Sequence, residues 1–81
     1  MRTEFQNFKS CRWYTVSIIS DLFGAVILMK SWGGIGKAMS GLDQEVFSTI
    51  EDAMIEYQAT KKLRLSRGYE ITFSNLALEA A

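Results

Sequence analysis

The run KSWGGIGKAMSG, residues 30–41, sets the indole of Trp32 between the cations of Lys30 and Lys37. A flat aromatic face flanked by positive charge is chemistry suited to a nucleotide. Every base offers a π face, and stacking it on an aromatic ring is worth about 1–3 kcal/mol, while lysines and arginines neutralise the phosphates. A second basic run, KKLRLSR, contributes Lys61, Lys62, Arg64 and Arg67. These seven residues form the candidate nucleic-acid-binding set. Each also has an ordinary explanation. Trp32 can serve hairpin or core packing, Lys30 and Lys37 can be solvated surface groups, and bases at the end of a helix complement its dipole.

Other chemistries find little support. With no histidine, the chain lacks the commonest general base and both the Ser-His and Cys-His nucleophile pairs. Acid chemistry would rest on Glu51, Asp52 and Glu56, which capping and solvation of a helix already explain. The single cysteine, Cys11, excludes an intramolecular disulfide and the Cys/His zinc patterns, and reads as a half-buried small hydrophobe. The GGIG stretch is neither a dinucleotide fingerprint nor a P-loop, and no βαβ unit surrounds it. The expectation is a non-enzymatic binding module with no cofactor and no metal.

The chain of 81 residues with 48% hydrophobic content is long and apolar enough for one packed domain spanning residues 1–81. Its longest apolar run, LFGAVILM, falls far short of the roughly 20 residues that span a bilayer, and the N-terminus lacks the pattern of a signal peptide. A cytoplasmic protein without a membrane partner is expected. Formal net charge is zero, which disfavours strong general affinity for nucleic acid. The charges are unevenly spread, however. Residues 1–40 hold five bases and two acids, residues 41–60 five acids and no base, and residues 61–81 four bases and two acids, so the molecule should be bipolar.

Several elements must position these groups. RWYTVSII, residues 12–19, and AVILMKSW, residues 25–32, read as a hairpin of strands, followed by a glycine-rich loop and a third strand over 43–47. In the intervening SDLFG, Leu22 and Phe23 read as plugs that close the hairpin into the core. STIE, residues 48–51, fits a capping box in which Ser48 and Glu51 satisfy each other's backbone. A helix is expected over about 49–66. Its apolar stripe comprises Ile50, Ala53, Met54 and Tyr57, and Gly68 supplies its left-handed stop. YEITF, residues 69–73, alternates as a last strand, TEFQNF reads as another near the N-terminus, and SNLALEAA could add a helical turn or fray. Tyr57 and Tyr69 are core candidates. The order implies an α+β domain: an antiparallel β-sheet with one α-helix packed on one face.

The run DLFGAVILMKSWGGIG resembles the WGR domain, a family named for its Trp-Gly-Arg tripeptide and found in poly(ADP-ribose) polymerases and short bacterial proteins. The likeness is greatest to the short bacterial members. Its features are Tyr14 on a strand, Asp21–Gly24, Trp32–Gly36, and Gly68 followed by Tyr69, so it covers about residues 12–72. The resemblance implies an antiparallel sheet with a helix against it. It also implies that Trp32 packs on sugar and backbone at a strand end, with Lys30 among the basic neighbours that hold phosphates. Gly34 stands where the family's arginine belongs, so the tripeptide here is Trp-Gly-Gly.

The leading expectation is a module that binds DNA ends or single-stranded nucleic acid weakly through Trp32 and nearby bases. The alternative is a protein-interaction module that docks a partner on an apolar strand face or on the acidic helix face.

Overall fold

The computed structural model describes residues 1–76 and the backbone of residues 79–80. In chain order the elements are β1 (Arg2–Asn7), β2 (Arg12–Ser20), β3 (Val26–Gly34), β4 (Met39–Phe47), α1 (Ile50–Ser66), β5 (Glu70–Asn75) and β6 (Glu79–Ala80). The sheet order is β4-β3-β2-β1-β5 with every neighbour antiparallel, and β6 runs parallel beside the end of β2. With α1 across one face, the fold is α+β, as expected.

Side-chain alternation explains the layering. Along β2, Tyr14, Val16 and Ile18 are buried beneath α1, while Trp13, Thr15 and Ser17 point to the uncovered face. Cross-strand register carries the same sidedness to Phe5 on β1 and Leu28 on β3. Ala53 and Tyr57 complete the core from the helix, and Ile50 and Met54 pack at its margin, so the expected apolar stripe is observed. Tyr57 is wholly buried, and its hydroxyl shares a 2.5 Å hydrogen bond with that of buried Thr3. Burying a phenol requires such a partner.

The helix begins one residue later than the capping box predicts. Thr49, in an extended conformation, is the N-cap, and its hydroxyl accepts from the Asp52 N–H at 3.2 Å. Ser48 and Thr49 offer the same chemistry; β4 stays paired as far as Phe47, and that fixes which hydroxyl meets the first turn. At the other end Gly68, with φ +88, closes the helix. The Gly68 N–H donates to Leu65 O and the Tyr69 N–H to Arg64 O, the two bonds of a Schellman stop.

Two further expectations are corrected. Leu22 and Phe23 are not core plugs: they are 89% and 94% exposed. Asp21 ties the turn from within, its carboxylate accepting from the N–H groups of Phe23 and Ala25, both at 2.9 Å, and Gly24 takes φ +82. So tight a reversal projects both side chains beyond the sheet's end. The loop expected across the glycines is also shorter, spanning only residues 35–38. Gly33 and Gly34 belong to β3 and Gly41 to β4.

Large rings lie across two of these glycines. Trp32 faces Gly41 in the β3–β4 register, and a Cβ on Gly41 would collide with the indole; Gly33 likewise faces Trp13, where a Cβ would come within 2.9 Å of the ring. The strand near the N-terminus is present as β1. Of the tail, Ser74 and Asn75 extend β5 and residues 79–80 form β6; residues 77, 78 and 81 lie outside the described residues.

Candidate nucleic-acid interface

Tyr14 and Trp32 are direct partners in the β2–β3 ladder, and their rings stack 11° from parallel with centroids 6.0 Å apart. Tyr14 meets Phe5 and Tyr69 edge-on, at 6.5 and 6.3 Å. The last turn of α1 brings Arg64 over this cluster. Its guanidinium lies 4.4 Å from the Tyr14 ring centroid and 5.5 Å from that of Tyr69. The Schellman stop bonds the Tyr69 N–H to the Arg64 carbonyl, so one helix terminus sets both side chains. Arg12 opens β2, directly across the ladder from Gly34.

Together Arg12, Tyr14, Trp32, Arg64 and Tyr69 line an open cavity of about 300 Å³. Its walls are aromatic rings and guanidinium groups, with no carboxylate. The Arg64 Nε is buried and makes no hydrogen bond to the protein, so attraction to the ring faces must offset its lost hydration. Burial raises the Tyr14 phenol above its usual pKa despite the opposing charges of Arg64 and Lys30, so at neutral pH it presents an uncharged ring.

The sequence-predicted residues divide. Trp32 and Arg64 line the cavity. Lys30 does not: its ammonium is ion-paired with Glu56 at 2.9 Å. Burial pulls the Lys30 pKa down, but the hydrogen bond and charge of Glu56 more than compensate, and it stands above the usual value. Lys37 is exposed in the β3–β4 turn, and Arg67 is exposed at the helix C-cap. Lys61 and Lys62 lie one turn or less before Arg64 on α1, Lys61 half-buried and Lys62 exposed. The site adds Arg12, Tyr14 and Tyr69. Tyr14 and Tyr69 already belong to the recognisable pattern, whereas nothing local in the sequence marks Arg12; its role depends on strand pairing.

Basic groups gather at one end of the molecule. The Ile35 N–H donates to Cys11 O at 2.8 Å and Asn7 Nδ2 to Arg67 O at 3.2 Å, drawing the β1–β2 turn, the β3–β4 turn and the helix C-terminus together. Lys9, Arg12, Lys37, Arg64 and Arg67 therefore share that end. Phe47 pairs with Val26 at the other end, which brings the acidic first turn of α1, Glu51 and Asp52, to the end that holds Asp21. The expected bipolarity is real.

The protein-family model of the WGR domain matches residues 1–75. The chain belongs to the WGR domain family. Neither the search of curated proteins nor that of solved structures gave a match. The WGR match takes in β1 and the whole of β5, beyond the stretch in which the resemblance is visible by eye. The family consists of modules of the nucleic-acid-binding type. In this WGR domain Arg12 lies directly across the β2–β3 ladder from Gly34, which occupies the place of the motif arginine. Among the described residues no helix is long and apolar enough to cross a membrane, and no group of three His, Cys, Asp or Glu residues is placed to hold a metal.

Proposed function

We propose that this WGR domain is a cytoplasmic, non-enzymatic module that binds a nucleic-acid strand end or single-stranded segment at the Arg12–Tyr14–Trp32–Arg64–Tyr69 cavity. The observation that carries the reading is the convergence of aromatic walls with the guanidinium groups of Arg12 and Arg64 at the basic end of a neutral protein. One nucleotide's sugar or base lies against Trp32, and Arg12 and Arg64 take the adjoining phosphates. Lys37 and Arg67 add outer charge. A base inside a duplex is already stacked on both faces; a strand end or single strand offers a free one. Few phosphate contacts imply dissociation constants no tighter than on the order of 10⁻⁶ M at physiological salt.

Fluorescence anisotropy with end-labelled single-stranded and duplex oligonucleotides tests this. Trp32→Ala is expected to weaken binding at every salt concentration, and Arg12→Ala chiefly to flatten the salt dependence. Lys30→Ala should leave the slope unchanged, because Glu56 already neutralises that ammonium. Absence of binding at high micromolar protein, or binding indifferent to Trp32 and Arg12, would refute the proposal.

A further inference from the structure

Leu22 and Phe23 stand almost fully in water on a turn that is not loose. The Asp21 carboxylate fixes the N–H groups of Phe23 and Ala25, Asp21 N–H donates to Ala25 O at 3.0 Å, and Gly24 N–H donates to Asp21 O at 3.2 Å. A pair of large apolar side chains on a pre-ordered projection is built as an anchor, since binding would cost little further ordering. Among the described residues, carboxylates outnumber cations at the end that carries it: Asp21 in the turn and Glu51 and Asp52 in the first turn of α1 face only the Met1 ammonium, which donates to Ile18 O, and Arg2, which is paired with Glu4.

The aromatic cavity is the complement of that tip in both shape and charge. It is concave where the tip projects, has ring walls able to meet Phe23 edge-on or offset, and is rimmed by Arg12 and Arg64. The tip cannot enter the cavity of its own chain. Ser20 and Tyr14 are six residues apart on one strand, about 20 Å at roughly 3.3 Å per residue, and the hairpin is held rigidly in the sheet. We infer that the Leu22–Phe23 tip docks head-to-tail into the Arg12–Trp32–Arg64 cavity of a second copy of this chain, acidic end to basic end. A contact between two different surfaces of identical molecules either closes or propagates, and its ionic component is screened by salt. The inference does not require nucleic-acid binding, but tip and nucleotide would compete for this one cavity.

Sedimentation equilibrium of the full chain, from micromolar to millimolar protein at low and high salt, provides the test. The weight-average mass should climb above the 9.2 kDa monomer as concentration rises, and less so at high salt. Phe23→Ser and Arg12→Glu each replace an exposed residue, so folding should survive, as circular dichroism can verify. Each variant alone should remain monomeric. Mixed one to one they should associate, because the first keeps an intact cavity and the second an intact tip. A wild-type mass that stays at the monomer value, or a mixture that stays monomeric while the wild type associates, would overturn the inference. At protein concentrations where the wild type is monomeric, Phe23→Ser should bind oligonucleotide as tightly as wild type, so failure here is distinguishable from failure of the nucleic-acid reading.

Discussion

Arg12 stands directly across the β2–β3 ladder from Gly34, and both positions share the face that carries Tyr14 and Trp32. Gly34 occupies the place of the arginine that names the family, so the tripeptide itself brings no charge to the site. The neighbouring strand restores one at the same level of the sheet. Arg64 enters from the helix side, and the cavity has guanidinium groups from two separate elements.

Restoring the motif arginine should therefore strengthen binding at the proposed site. Gly34 has an ordinary strand conformation, and the nearest neighbour of a Cβ there would be the flexible side chain of Lys37, 3.2 Å away at its Cδ. Gly34→Arg should fold normally and steepen the salt dependence of oligonucleotide binding by about one phosphate contact, with tighter binding at low salt. Arg12→Ala should do the reverse. Anisotropy titrations across a salt series measure both; a Gly34→Arg slope equal to wild type would show that the side chain does not reach the ligand.

Gly41 is expected to tolerate no side chain. A methyl group there would drive into the Trp32 ring, which also stacks on Tyr14. Gly41→Ala should cost about 1–3 kcal/mol, the usual range for overpacking, and shift Trp32 fluorescence. Thermal melts and emission spectra report the two effects. An unchanged midpoint would mean that the indole has room to move.

Neighbouring hydroxyls should differ in worth. Removing the Thr49 cap with Thr49→Ala should destabilise by about 1 kcal/mol, or roughly 4–8 °C in Tm for a domain of this size. Ser48→Ala and Phe23→Ala should each stay within about 0.5 kcal/mol of wild type, as for surface positions generally. Equal losses from Ser48→Ala and Thr49→Ala would argue that both residues cap.

Alkaline pH should unfold the domain through its phenols. Burial holds Tyr14 and Tyr57 above the usual tyrosine value of about 10, the Thr3 hydrogen bond only partly offsetting this for Tyr57. Above about pH 10 the unfolded chain releases these protons while the folded chain retains them. The stability they contribute is complete below that pH and declines as pH rises toward the folded values. The raised Lys30 acts in the same direction. Denaturant midpoints should thus stay level through neutrality and fall above about pH 10. Phenolate absorbance appearing for all three tyrosines before any loss of near-ultraviolet dichroism would contradict this.

Local pattern alone was enough to read most of the architecture from the chain. Aromatic and β-branched residues over 12–19, the Ile50–Ala53–Met54–Tyr57 stripe and Gly68 each act within a few residues, and β2, α1 and the helix stop appear nearly where they point. Trp32 and Arg64 were visible as candidate chemistry for the same reason. What the sequence left open was set by pairing. Whether Gly33, Gly34 and Gly41 form a loop or lie inside strands depends on the rings of Trp13 and Trp32 that cross two of them, a relation between residues on different strands. Lys30 looked like a phosphate ligand until the helix laid Glu56 beside it, and Arg12 looked ordinary until β2 paired with β3. The Leu22–Phe23 turn is apolar enough for a core, yet the Asp21 hydrogen bonds point it into water. Hydrophobicity records that a side chain gains from burial, but tertiary geometry decides whether any surface lies within its reach.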